Sequence, residues 1–377
     1  MSPKPSVASA RSLSAGAFGY SFPAIRGVQA GREYFVSMCP LRVIPKIFLF
    51  NEEELVPELR AQRLLNKVRV PEIARYLLNN RQSYTFSALT ASVDGDVRFS
   101  PMDDGPSGEM LGRLNVAMDA RFVINDGQHR RAAIEAAIRE APDLADESIA
   151  VVFFLDAGLK RSQQMFADLN QHAIRPSTSL GVLYDQRDED GKMLKQWLLD
   201  DPLFRKLTEM ERSTLAERSA KLFTLSALYN ATSALLAPFR DKTHDERTQI
   251  LRDFWTEIAK LFPEWKQVVE GATTSAVVRK ESLSSHGITL QSVGRAGASL
   301  LIKHPKDWRK RLEGIKSINW SRSNTRLWEG RALVGGRVSK ATTNVILTTN
   351  VIKKAIGLEL TVEEERIERA KNRSHSS

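Results

Sequence analysis

One junction constrains this chain more than any other feature. Ala120-Arg121-Phe122-Val123-Ile124 has the aromatic and β-branched content of a short strand, and it stops at Asn125-Asp126-Gly127. Ala132, Ala133, Ile134, Ala136, Ala137 and Ile138 then set an apolar helical pattern at once. A strand passing straight into a helix calls for a domain of mixed α and β structure.

The surroundings agree. Phe35–Val36 and Val43–Phe50 read as strands, with Pro45 arguing for an edge position, and folded sequence is expected to begin near Tyr34. Asn51 followed by Glu52, Glu53 and Glu54 predicts an N-capped helix. Val70–Leu78 predicts a helix with Pro71 in its first turn, and Tyr84–Val93 predicts a strand. Asp94–Gly95 reads as a hairpin turn into Val97–Phe99. Ile149–Leu155 is an apolar run of strand length, and Arg161–Leu169 reads as a helix stopping near Asn170.

The second half changes character. From Thr178 to about Lys266 the pattern is helical, with Thr214 and Glu217 as a capping box before Leu215–Leu236. Residues 271–297 are rich in Ser, Thr and Gly and read as irregular. Thr361 with Glu364 opens a final helix through Ile367, and Lys371–Ser377 reads as a frayed tail. The expected class is α+β (mixed α/β). The expected divisions are 1–20 disordered, 21–177 an α/β domain, 178–270 helical, 271–360 basic and Trp/Arg-rich, and 361–377 the terminal helix and tail.

Composition excludes several classes. No apolar run approaches the ~18 residues of a membrane span, so no membrane partner is expected. The single cysteine, Cys39, excludes an intramolecular disulfide and a Cys-rich metal site. A cytoplasmic location is expected, on the nucleoid when DNA is bound. Arg32 and Arg42 flank Cys39 in sequence, which makes its thiol a candidate for redox response, although a lone cysteine is more often a small buried hydrophobe.

Candidate chemistry starts at the junction itself. The first turn of a helix presents unpaired N–H groups and a positive dipole end, which favour an anion. Gly127 permits close backbone approach, and Arg130 and Arg131 are donors suited to phosphate. His129 can transfer a proton, and Asp126 can hold an activated or metal-bound water, so Asp126, His129 and Arg130 are the candidate catalytic groups. The same residues also fit a structural role, with Asp126 capping the helix, His129 packed and Arg130 paired with a carboxylate.

The charge surplus has a second location. Lys and Arg total 55 against 45 Asp and Glu, a net +10. Residues 301–340 hold eleven bases and three acids, so this window alone contributes +8. Lys303, Lys306, Arg309, Lys310, Arg311, Arg322, Arg326, Arg331 and Arg337, interleaved with Trp308, Trp320 and Trp328, are candidates for contacts to nucleic-acid phosphates. The alternative is a tryptophan core under a solvated basic face. No Walker A loop, zinc-type His spacing or Gly-x-Ser-x-Gly elbow is present.

Asp126-Gly127-Gln128-His129-Arg130 is letter for letter the signature of the DGQHR-domain family. That family resembles the ParB/sulfiredoxin-like fold, in which a Gly-x-x-Arg turn after a strand binds nucleotide phosphates. The resemblance implies a nucleotide site at Asp126, Gly127, Gln128, His129, Arg130 and Arg131, with Asn170, His172 and Arg175 of Phe166–Pro176 nearby. From the Phe22–Leu41 region to near Leu360, the chain is further similar to the DndB branch of DNA sulfur-modification (phosphorothioation) proteins. That similarity implies a DNA-binding negative regulator of the modification genes, with ATP or another nucleoside triphosphate as modulator. Its implied partners are double-stranded DNA, other sulfur-modification proteins and, for a palindromic operator, a second copy. The alternative it leaves is an NTPase able to nick DNA, assisted by Mg2+. One departure bears on nucleotide choice, since Gln128-His129-Arg130 stands where ParB proteins carry Glu-Arg-Arg.

Overall fold

The structure is a computed structural model describing residues 19–48, 69–105, 107–171 and 176–374. The chain divides into two compact units, Met1–Ile174 and Arg175–Ser377. The class is α+β, as expected.

The N-terminal unit is built on one seven-stranded sheet. Strands β1 (Gly19–Gln29) and β2 (Arg32–Pro40) form a hairpin whose two-residue turn, Ala30-Gly31, has positive φ at both positions, 51° and 72°. Turns of that hand match the twist of the flanking strands. Ordered strand therefore begins at Gly19, well before Tyr34. The run after it, expected as a strand, is a four-residue helix α1 (Ile44–Ile47). Ile44, Ile47 and Phe48 are all buried, at the i, i+3, i+4 spacing of a helix. The helix expected after Asn51 lies outside the described residues.

Helix α2 (Arg69–Asn79) precedes strands β3 (Leu89–Asp94), β4 (Val97–Pro101), β5 (Leu111–Ala117) and β6 (Arg121–Asp126). Helix α3 (Gln128–Glu140), strand β7 (Ser148–Leu155) and helix α4 (Ser162–Gln171) complete the unit. The sheet order is β4-β5-β1-β2-β7-β3-β6, antiparallel throughout except for the parallel pair β3–β7. The Asp94–Gly95 hairpin is thus corrected. β3 pairs with β6 and β7, while β4 pairs with β5. Phe22, Phe35, Ile124, Ile134, Val151 and Phe153 meet in the core of this unit.

The C-terminal unit is mainly helical. Helices α5 (Thr178–Tyr184), α6 (Glu189–Asp200) and α7 (Pro202–Leu207) lead to two short parallel strands, β8 (Thr208–Glu209) and β9 (Phe223–Thr224). The Thr214–Glu217 capping box is not what starts the next helix. Helix α8 (Leu225–Leu236) begins on Thr224, whose side chain accepts from the Ala227 N–H at 3.2 Å. Helix α9 (His244–Leu261) does open on a capping box, formed by Thr243 and Glu246. Helices α10 (Pro263–Glu270), α11 (Ser275–Glu281) and α12 (Gly287–Lys303) follow. The stretch 271–297 is therefore largely helical, not irregular. Its small residues serve close packing: a Cβ on Gly294 would stand 2.1 Å from the Ala231 carbonyl oxygen of α8, and one on Gly297 would stand 2.3 Å from the Phe254 ring.

Short helices α13 (Trp308–Leu312) and α14 (Thr325–Trp328), a small hairpin of β10 (Leu333–Val334) and β11 (Arg337–Val338), and helices α15 (Thr342–Ala355) and α16 (Val362–Ser374) end the chain. Thr361 and Glu364 exchange the expected capping bonds, and the helix continues past Ile367 to Ser374. One hydrophobic core joins residues from Met193 to Leu358, so the stretches 178–270 and 271–360 share it. Among the described residues, no helix is long and apolar enough to cross a membrane.

Candidate functional site

The β6–α3 junction is made by Gly127, at φ 103°. A side chain there would meet Leu89 Cδ2 at 2.4 Å and Arg130 Nη2 at 2.9 Å, in a backbone region that L residues avoid. Gly127, not Asp126, is the cap residue of α3, and no side chain caps the helix. The first intrahelical bond is Arg131 N–H to Gly127 O, 2.9 Å, so the start of α3 offers backbone donors and a positive dipole end.

Just before the turn, β6 carries one extra residue against β3. Thr90 faces Asp126 and Ala91 faces Ile124, which leaves Asn125 as a bulge. Asn125 is 1% exposed; its amide donates to Ser92 Oγ at 2.8 Å and its carbonyl accepts from Ser162 Oγ at 2.6 Å. This buried Ser92–Asn125–Ser162 chain ties the turn to α4. Its signal in sequence was only a polar residue inside an apolar strand.

The charged residues of the signature turn mostly inward. Arg130 donates to Asp126 Oδ2 at 2.8 Å, to the Ala88 carbonyl at 3.3 Å and to Ser87 Oγ. It clips the segment before β3 onto the turn, while its buried Nε lacks a partner. Arg131 is 6% exposed and donates to Phe48 O at 3.0 Å, Pro45 O at 3.3 Å and Glu135 at 2.6 Å. Its guanidinium holds α1, which turns it away from a ligand at the helix start. Gln128 and His129 are half-buried at that start. Burial, and then the charge of Arg69, hold the His129 imidazole below its usual pKa, so it is neutral near pH 7 and able to accept a proton.

α4 packs against β6 and so brings the backbone of Asn170 into the same unit. His172 and Arg175 lie outside the described residues. Among the described residues, no group of three or more His, Cys, Asp or Glu is placed to hold a metal ion. Cys39 is fully buried in the sheet. Burial pushes its thiol up to about 11, against the smaller opposing effect of a bond to Ser37, so it is a packed thiol and not a nucleophilic thiolate.

In the second unit the tryptophans belong to the core. Trp308 and Trp328 are buried, and Trp320 stacks on Trp328 at 5.1 Å. The bases around them divide into three groups. Arg309 pairs with Asp253 at 2.6 Å, Arg311 with Asp307 at 2.7 Å, and Arg331 with both carboxylate oxygens of Glu368 at 2.6 and 2.8 Å. Arg322 donates to the carbonyls of Arg279 and Gly336 at 3.4 and 3.3 Å. Lys303, Lys306, Lys310, Arg326 and Arg337 are exposed and make no ion pair among the described residues. These five keep their charge available to a polyanion.

A family model described as DNA-sulfur modification-associated matches residues 22–359. No curated protein and no solved structure matches the chain. The match takes in the sheet, the Gly127 turn and nearly all of the helical unit, and the chain belongs to the DndB family of DNA-sulfur modification-associated proteins.

Proposed function

We propose that this chain is a DNA-binding negative regulator of a phosphorothioate-modification gene cluster, with a nucleoside triphosphate as modulator. The observation that carries it is the exposed set Lys303, Lys306, Lys310, Arg326 and Arg337, which make no ion pair with the described residues, on a scaffold where Arg309, Arg311 and Arg331 are already paired with carboxylates. Each phosphate neutralised by such a cation releases counterions, and five contacts imply a salt slope of about −4.5. The uncapped start of α3, with its Gly-x-x-Arg resemblance to ParB-like turns, supports a phosphate-bearing modulator there. Operator action requires a sequence-specific component above that salt-dependent background. Footprinting upstream of the modification genes, with and without ATP, tests this reading. Protection at a defined site is expected, and its absence under both conditions overturns the reading.

A second reading, an NTPase with DNA-nicking activity, draws support from the neutral His129 beside Asp126 and Arg130. A neutral imidazole can serve as general base, and Mg2+ would supply charge neutralisation at the phosphates. Under this reading purified protein hydrolyses ATP, and His129→Ala and Arg130→Ala abolish turnover. A regulator without hydrolysis shows none in any of the three proteins.

A further inference from the structure

A second anion-seeking place lies wholly within the helical unit. It is a cavity of about 540 Å³ at the start of α12, within the range of small-ligand sites. α12 is 17 residues long, with no capping side chain and no acid in its first turn. Its first intrahelical bond is Leu290 N–H to His286 O, 3.0 Å, so the N–H groups of Gly287, Ile288 and Thr289 precede the ladder. Ser285, on the cavity wall, is 4% exposed, and its hydroxyl has no hydrogen-bond partner. A buried hydroxyl left unpaired costs about 1–3 kcal/mol, which a ligand oxygen would recover.

The charges on the wall are unbalanced. Arg279, Lys280, Arg322 and Lys340 face a single carboxylate, Glu217. Arg279 is spent on backbone carbonyls, including Ser219 and Ala216 at 3.0 Å and Glu217 at 2.7 Å, and so shapes the 216–221 loop. Lys340 makes no ion pair among the described residues, yet its Nζ stands 2.8 Å from the place a Cβ on Gly287 would take. An ammonium poised at the positive end of a helix is unfavourable until an anion comes between them. Burial, then the charges of Arg322, Lys340 and Arg279, lower the His286 pKa against the effect of its own bond to the Arg279 carbonyl, so this histidine adds no charge near pH 7. The apolar part of the wall is formed by Leu215, Leu222 and Val277, beside the hydroxyl residues Ser213, Thr214 and Thr224.

We propose that this cavity binds a small phosphorylated molecule of nucleotide size. Its phosphate sits among the first-turn N–H groups of α12, the Ser285 hydroxyl and the Lys340 ammonium, and its apolar part lies on Leu215, Leu222 and Val277. The site is made by residues of the helical unit alone and is independent of the DNA reading. Calorimetric titration of the full chain with ATP and with inorganic tripolyphosphate tests it. Lys340→Glu reverses a charge on an exposed side chain and should weaken binding at least tenfold, on the order of the 1.5–3 kcal/mol of a charge-assisted bond. Ser285→Ala should weaken it severalfold while melting at or above the temperature of the parent chain, since it removes a buried unpaired hydroxyl. The idea is overturned if neither probe binds, if Lys340→Glu and Ser285→Ala bind as the parent does, or if binding is lost in Arg130→Ala and kept in Lys340→Glu. Footprinting on promoter DNA is a separate readout, so failure of the regulator reading and failure of this one are distinguishable.

Discussion

The two arginine-rich parts of this chain spend their charge in opposite directions. At the β6–α3 turn, Arg130 and Arg131 both reach back into the protein, one to Asp126 and the segment before β3, the other to α1 and Glu135. In the 301–340 stretch only part of the charge is committed inward, and Arg326 and Arg337 remain exposed. An arginine that supplies several bonds to carbonyls and carboxylates acts as a fastener. An arginine without them is free for a phosphate, at a small conformational cost on capture. Sequence proximity to a signature is thus a poor guide to which arginines meet a ligand.

That contrast can be tested from its largest consequence downward. Glu368→Ala leaves the Arg331 guanidinium buried without its carboxylate and should cost about 3 kcal/mol or more in denaturant unfolding. Arg131→Ala removes bonds to two carbonyls and Glu135, and should destabilise by about 2 kcal/mol while leaving the salt slope of DNA binding unchanged. An unchanged melting curve would show that Arg131 is not a fastener. Gly127→Ala forces a Cβ into a left-handed backbone against Leu89, for a loss of at least about 1–2 kcal/mol by thermal unfolding. Arg326→Ala and Arg337→Ala should leave stability within about 0.5 kcal/mol but each reduce the salt slope by roughly one.

The histidines give a pH signature. His129 and His286 have folded pKa values below the usual 6.5. Below pH 6.5 the unfolded chain therefore binds more protons than the folded one. Their contribution to stability is fully present above that pH and is lost as pH falls below it and through the lowered folded values. Unfolding midpoints between pH 7.5 and 5 should drop, and His286→Gln should flatten the drop. An unaltered profile would remove His286 from the account.

The strand–Gly127–helix passage was legible in the sequence because both of its signals are local: a short aromatic and β-branched run up to Ile124, and a helical stripe from Ala132 onward. The mixed class followed from that. What was hidden depended on distant partners. Val43–Phe50 looks β-like by composition, but the burial of Ile44, Ile47 and Phe48 shows the helical spacing that decided it. Asp94–Gly95 has hairpin chemistry, yet β4 finds its partner in β5. The Gly and Ser content of 271–297 suggested irregular chain, whereas Gly294 and Gly297 are small because α8 and Phe254 come so close. At the site, the residue identities were readable and their directions were not. Nothing local in Arg131 says that it points at Phe48, 83 positions away in sequence.

Those two glycines also set how the helical unit can respond mechanically. Where Gly294 meets the Ala231 carbonyl of α8, backbone lies directly on backbone, and Gly297 seats against the Phe254 ring, so at these two contacts no longer side chain of α12 stands between to yield to a lateral push. The helix acts as a strut about 25 Å long, one end in the basic cavity and the other at Lys303, where the cationic stretch begins. A stiff helix gripped at those contacts would pass a tilt imposed at Gly287 on toward Lys303 instead of absorbing it.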